Sequence, residues 1–295
     1  MSNRSCLLYL ALLLALLGLA GAGLWSLVRR LPNPSGWAQP ILEGLGPTLD
    51  SAEAQLGQRL WEDLRREQPV LEDSAAQQAL HSLCNKLCIA NGIEPESLYR
   101  HLVRSPQVNA MALPGRRLVV YSGLVQEAQN PDEVAGVLAH EIAHIQEGHV
   151  RQKVLKQAGL QMVMLWVFGD ATAGGLHQVA GILGSTAFDR HLEGRADRRA
   201  VEYLQKARMN PEGLATFMDR LAQNESQGPA PTEWFSTHPA SAKRAQSIRQ
   251  HAGPPVPGLY QSSLDPVAWQ ALQKATRPEP TNRQPSSPKS LAPKP

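Results

Sequence analysis

Cysteine is scarce in this sequence: Cys6, Cys84 and Cys88 are the only three in 295 residues. Three cannot build a disulfide scaffold or a cysteine-based zinc module. Cys84 and Cys88 stand four apart on a helical pattern, which fits two buried thiols; a bond between them in an oxidising compartment would be strained by the helix. Charge of one sign is lacking too, with a net charge of only +3. There is no Lys/Arg stripe interleaved with aromatics and no nucleic-acid-binding motif, so no nucleic-acid partner is expected. No internal repeat is visible.

What is present is ordinary for a globular chain, at 42% hydrophobic and 19% charged residues. The length suffices for one large domain or two small ones with a sizeable core. The first 30 residues stand apart. After Arg4 an uncharged, apolar run extends from Cys6 to Val28. It is long enough to span a bilayer as an anchor. Leu7–Leu19 followed by Ala20-Gly21-Ala22 equally fits a cleavable signal peptide. Basic residues flank both sides, so charge does not fix the orientation. Export of the following domain is expected because long C-terminal domains usually follow such a segment across.

Residues 31–47 are rich in proline and glycine and read as a linker. Helical periodicity then covers Thr48 to about Arg66, through Leu56, Leu60 and Leu64, and again Ser74–Asn91. "SLYRHLVRS" and "QVNAMALPGRRLVVYSGLV" leave that period and read as a hairpin or two adjacent short strands, with Pro114-Gly115 as the turn. Asn130, Pro131 and Glu133 carry the N-cap, first-turn and capping-box signals of the next helix, which ends near Gly148. The apolar run Leu160–Phe168 is too short to span a membrane and reads as a buried or membrane-skimming helix. Further helices are expected from near Asp189, from Asn210-Pro211 to about Gln223, and over Ala240–His251. Residues 253–275 read as a C-terminal extension, and 276–295 as a disordered, proline-rich tail.

The chemistry is carried by "HEIAH", His140 to His144. Residues four apart share one helix face, so His140 and His144 can offer two imidazoles to one ion. Glu141 sits about 100° round the helix, placed to act as general base over the open metal position. Chance gives this pattern in about one chain in a hundred of this length. A polar patch on an otherwise apolar helix also needs partners, and a metal supplies them. Catalytic zinc takes three protein ligands. The metzincin pattern fails, because its glycine and histidine positions hold Glu147 and Val150; His149 comes too early and reads as structural or supporting. A downstream carboxylate remains. Glu193 and Asp197 share a helix face, so one can bind metal while the other accepts a hydrogen bond from a ligand histidine. Arginines 190, 195, 198 and 199 around them fit a solvated face equally well.

"EAQLGQRL", "VNAMALPGRRLVVYSGLV", "HEIAHIQEGH", "EGRAD" and "STHP" followed by Arg244 occur in this order over about Glu53–Gln250. In them the chain resembles zinc metallopeptidase family 48, the gluzincin-like group that contains HtpX, the CAAX prenyl proteases and the mitochondrial OMA-type proteases. The resemblance implies an α+β, mostly α-helical, zincin-like domain over 48–252, with a small sheet and one preceding hydrophobic helix. It implies one Zn2+ on His140, His144 and Glu193, with Asp197 as the supporting carboxylate. It implies an edge strand at Asn109, Ala110, Met111, Ala112 and Leu113 to which extended substrate adds through its main chain. One departure is "PGRR", where the family shows P-G-G; Arg116 is expected to alter that turn. His238 is brought near the metal by the same resemblance. It fits a donor to the oxyanion, a fourth ligand that holds the enzyme latent, or a packed loop residue. Arg244 fits an oxyanion donor, a supporting residue or an exposed helix arginine.

These readings lead to a zinc endopeptidase of the cell envelope, anchored in the inner membrane or periplasmic, that cleaves unfolded or misassembled polypeptides in quality control. The competing reading is a chaperone-like assembly factor with a closed, structural zinc. A protease of prenylated peptides is disfavoured, because those enzymes have several spanning helices and this chain shows one apolar run.

Overall fold

The computed structural model describes residues 35–154, 181, 183, 189–227, 234, 237, 238, 242–254 and 256–278. The anchor or signal segment, the Leu160–Phe168 run and the tail from 279 onward lie outside them. Among the described residues no helix is long and apolar enough to cross a membrane. The chain divides into two compact units, Met1–Asp50 and Ser51–Pro295, and the second holds all that follows except the start of the first helix.

Helix α1 runs from Ser35 to Glu67 and takes in much of the stretch read as a linker. Helix α2, Ser74–Ala90, is capped by Asp73, whose carboxylate accepts from the Ala76 N–H at 2.9 Å. Its inner face, Ala76, Leu80, Leu83, Leu87 and the two cysteines, is buried. Both cysteines are free thiols, and burial pushes Cys84 up to about 12. We expect neither to react with a thiol reagent until the protein is unfolded, because the thiolate is the reactive form. Labelling of Cys84 and Cys88 in native buffer, mapped by peptide mass, would contradict this.

Three strands follow: β1 Tyr99–Val103, β2 Ala110–Leu113 and β3 Arg117–Tyr121. Their order is β1-β3-β2. The hairpin β2–β3 is antiparallel, with Ala112 opposite Leu118. The parallel β1–β3 pair, Tyr99 opposite Arg117, goes beyond the hairpin reading, because it joins strands that no tight turn connects. Central β3 is buried on both faces. Leu118 and Val120 enter the larger core with α2; Val119 and Tyr121 enter a smaller one with Leu56, Leu60 and Trp61 of α1.

The β2–β3 turn is clamped by α1. A methyl group on Gly57 would stand 1.9 Å from the Pro114 carbonyl oxygen, and one on Gly115 (φ 69) would stand 2.8 Å from Ala54 Cα. Arg116 adopts φ 59, a conformation glycine takes without cost. Its guanidinium is held by the Ser97 carbonyl at 3.0 Å and the Ser97 hydroxyl at 2.8 Å. Gly57→Ala should force helix and turn apart and cost about 1–3 kcal/mol. The check is a lower urea midpoint at unchanged slope.

Short α3, Ser122–Glu127, leads to α4, Pro131–Gln146. Asn130 caps α4 through the Glu133 N–H at 3.1 Å, and Glu133 reaches back to the Gln129 N–H at 2.9 Å. Gly148, at φ 66, ends it, and residues 149–154 resume a helix. Helices α5 (Arg190–Lys206) and α6 (Glu212–Gln227) pack on α4, and α7 (Ala242–Ala252) packs on α5 and α6. A further helix, α8 (Pro266–Thr276), lies in the stretch read as an extension. It packs on α2 and α3, and Leu264 and Leu272 join the larger core. The Ser263 N–H and hydroxyl both reach Asp132 at the start of α4, at 2.9 and 2.5 Å.

Candidate metal centre

Helix α4 is buried along nearly its whole length, and it carries His140, Glu141 and His144 into the interior at 0% exposure. The i, i+4 spacing brings the two imidazoles edge to face on one side of the helix, with their Nε2 atoms 3.1 Å apart. Helix α5, started by its Asp189 cap, presents Glu193 to the same point. Glu193 Oε1 is 3.2 Å from His144 Nε2, and Oε2 is 3.5 Å from His140 Nε2. His238 completes the cluster, its Nδ1 3.0 Å from Glu193 Oε1 and 3.3 Å from His140 Nε2. One atom from each of these four buried residues lies within 4.8 Å of every other.

Tetrahedral zinc with bonds of about 2.0–2.1 Å sets its ligand atoms about 3.3–3.4 Å apart. The observed separations bracket that edge. Ring nitrogens this close repel unless a proton or a cation lies between them. Burial alone would lower the His140 imidazole, yet hydrogen bonds to Asp197 and Glu193 raise it to about 9, whereas burial holds His144 well below its usual range and keeps it a neutral donor ring. The two histidines, Glu193 and His238 therefore fit a zinc site.

The supporting shell is equally specific. Asp197 Oδ1 lies 3.0 Å from His140 Nδ1, which leaves Nε2 for the metal. Arg244, at the start of α7, grips Asp197 with Nε at 2.8 Å and Nη2 at 2.7 Å, and its Nη1 lies 2.7 Å from Glu193 Oε2. It is 13% exposed, so it is not a solvated helix arginine. His149 Nδ1 stands 3.0 Å from His144 Nδ1. Burial, then Arg195, pushes His149 down to about 4, so it accepts as a neutral ring. Among the described residues its Nε2 has no hydrogen-bond partner. The arginines that fitted a solvated face divide: Arg195 and Arg199 hold Glu147, whereas Glu193 and Asp197 turn inward at 2% and 4% exposure.

Glu141 faces the edge strand. Its Oε2 accepts from the Ala112 N–H at 3.0 Å. The Asn109 carbonyl accepts from the Tyr121 N–H at 3.1 Å, so Asn109, Met111 and Leu113 turn their main chain toward β3. Val108, Ala110 and Ala112 turn theirs toward the metal cluster. Asn109 is buried, and its Oδ1 has no hydrogen-bond partner among the described residues.

One residue went unread in the sequence. Trp234 falls between the helices expected to end near Gln223 and to begin at Ala240, and the His238 N–H donates to its carbonyl at 2.8 Å. Its indole N–H donates to Glu141 Oε1 at 3.2 Å, and its main-chain N–H to the Val108 carbonyl at 3.3 Å. The i, i+4 spacing of Trp234 and His238 was the available signal.

Known proteins place the chain independently. It is 27% identical over 246 residues to the beta-barrel assembly-enhancing protease of Yersinia pestis, covering 77% of this chain and 50% of that protein. It is 31% identical over 170 residues to metalloprotease LoiP of Escherichia coli K12, covering 55% and 65%. It is 28% identical over 152 residues to the mitochondrial metalloendopeptidase OMA1 of Schizosaccharomyces pombe, covering 51% and 45%. The chain thus spans about half the length of the beta-barrel assembly-enhancing proteases it matches. The family model described as Peptidase family M48 matches residues 74–252, from α2 through the metal cluster to the end of α7. On that match, and with the zinc-compatible cluster inside it, the chain belongs to peptidase family M48.

Proposed function

We propose that this chain is a zinc endopeptidase of the cell envelope that cuts unfolded or misassembled polypeptides. The observation that carries the reading is the adjacency of three parts: a buried set of four donor residues, a carboxylate beside it, and the outward edge of β2. His140, His144 and Glu193 hold the ion. Zinc bound there supplies a Lewis acid that polarises a carbonyl and makes water more acidic. Glu141 takes the proton from water as the new C–O bond forms, and delivers it to the amine as the C–N bond breaks. Ala112 orients that carboxylate through its N–H. Ala110 and Ala112 offer main-chain groups to an extended segment, which reads backbone more than side chain and suits unfolded clients. The names of the beta-barrel assembly-enhancing relatives support an envelope role, and the apolar stretch Cys6–Val28 supports an anchored or exported protein.

His238 lies within the same donor set, which supports latency: bound to the ion, it would occupy the position a substrate carbonyl needs. A closed set of four donors also favours the second reading, a client-binding assembly factor with structural zinc. His238→Ala separates them. We expect casein cleavage to rise about 10-fold or more while one zinc per chain is retained, since removing the plug restores the open position of a catalytic site. Unchanged, absent cleavage would favour the assembly factor. A fall from a measurable rate would favour an oxyanion donor.

A further inference from the structure

A cavity of about 690 Å3 opens between the outer face of α2 and the C-terminal end of α5. Its lining holds Lys86, Lys206 and Arg208 and, among the described residues, no carboxylate. Lys206 and Arg208 are exposed, and neither has an ion-pair partner among the described residues. Lys86 Nζ donates to the Ser263 carbonyl at 3.0 Å. Arg100 adds a fourth charge behind them, with its guanidinium on Asn85 of the lining. Arg208 stands at φ 56, just past a helix end, where glycine is the favoured residue. A cation there is kept against backbone strain. The cavity is separate from the metal centre, because Lys206 ends the helix whose first turn carries Glu193, about 20 Å away along its axis.

Beside the cavity stands a loop of opposite character. Both ends of 253–260 are pinned to the C-terminal end of α5: Gln205 Nε2 donates to the Ala252 carbonyl at 2.9 Å, and the Gln261 N–H donates to the Arg208 carbonyl at 2.8 Å. No charged residue occurs between His251 and Asp265. Val256 and Leu259 are 53% and 41% exposed, and Ile89 in the cavity lining is 69% exposed. This end of the molecule thus holds three of the five exposed large hydrophobic side chains among the described residues, which sets it apart from a scatter of single ones. A free phosphate ion would use the cations and leave the loop in water. An acidic polypeptide would do the same. A bilayer surface meets both, since it places negative headgroups directly over hydrocarbon.

We propose, resting on the anchored-or-exported reading, that this face docks on the anionic leaflet of a bilayer. Lipid phosphates enter the cavity against Lys86, Lys206 and Arg208, while Val256, Leu259 and Ile89 sink between the headgroups. The two contributions act together, because a few cations or a short apolar surface alone gives only weak, reversible binding. The apolar stretch Cys6–Val28 supplies the encounter, since a chain held by it keeps its folded domain within reach of headgroups.

The test uses full-length, zinc-loaded protein carrying Cys6→Ser and Val256→Cys, labelled with an NBD fluorophore at that one accessible thiol, because Cys84 and Cys88 are buried. It is bound to vesicles of phosphatidylcholine alone or with about a third phosphatidylglycerol. Phosphatidylglycerol should raise the emission about 2-fold and move it to shorter wavelength at low salt, and about 0.5 M salt should reverse both by screening. Lys206→Glu with Arg208→Glu should abolish the response, since each cation at an anionic surface contributes about 5-fold in affinity. Neither side chain holds a partner, and unchanged zinc content checks that the variant is folded. The same label on Lys243→Cys, at the start of α7, should not respond. Equal emission with the two vesicles, a response that survives the charge reversal, or an equal response at Lys243→Cys overturns the docking face. A response to heptaglutamate without one to phosphatidylglycerol marks an acidic-polypeptide site and overturns the lipid. Flotation separates this proposal from the reading beneath it. Protein that floats with both vesicles but shows no response to phosphatidylglycerol keeps the anchor and loses the docking face. Protein that floats only with phosphatidylglycerol keeps the docking face and loses the anchor, and protein that floats with neither loses both.

Discussion

Glu141→Gln is expected to lower the cleavage of unfolded casein by about 10^2–10^4-fold, the usual contribution of a positioned general base. Zinc content should stay at one per chain, because Glu141 lies beside the donor set rather than in it. The structure adds a further expectation. Both oxygens of Glu141 receive N–H donors, Ala112 at Oε2 and Trp234 at Oε1. Glutamine has one oxygen and one NH2, so one of those donors must face another donor. At a site with 0% exposure the unmet group costs about 1–3 kcal/mol. The variant should therefore be inactive, metal-loaded and measurably less stable toward urea. Casein turnover at the wild-type rate would exclude Glu141 as the base. Loss of zinc would mean that the carboxylate belongs to the donor set.

Arg244→Ala should have the largest effect on stability. Arg244 is the cation that makes two buried carboxylates tolerable. Burial pushes Asp197 up, but Arg244, through charge and hydrogen bonds, outweighs burial and leaves the carboxyl below its usual range. Removing one partner of a buried ion pair costs about 3–5 kcal/mol. Loss of the outer support of a metal ligand typically costs about 10–100-fold in affinity, read here by chelator competition. Lysine should not rescue either effect, since a point charge cannot reproduce the fork on Asp197 together with the contact to Glu193.

The pH dependence follows from the same pair. A carboxyl whose folded pKa is depressed contributes stability above its unfolded value, about 3.9 for aspartate, and loses it as pH falls through the folded value. The wild type should therefore keep its ion to lower pH than Arg244→Ala, whose release midpoint moves up. Asp197→Asn in the Arg244→Ala background should cost far less than in the wild type, because the two residues act as a pair. A loss under about 1 kcal/mol with unchanged zinc affinity would show that Arg244 behaves as an ordinary surface charge.

Sequence alone determined what neighbouring residues decide. The cap at Asn130, the fold-back of Glu133 and the four-residue step from His140 to His144 are local, because helix geometry repeats every 3.6 residues and brings those groups together wherever the helix lies. The turn at Pro114-Gly115 and the hairpin around it are local for the same kind of reason. Tertiary structure decided the rest. Glu193 and Asp197 share one helix face, so spacing could not choose between them; the approach of α5 to α4 sets Glu193 among the imidazole Nε2 atoms and Asp197 behind His140. The parallel pairing of β1 with β3, the return of α8 onto α2, and the burial of Trp234 beside Glu141 join residues far apart in the chain. No short window of sequence records such contacts. They form because apolar faces left open by one element are closed by another, and the burial that drives this has no direction of its own.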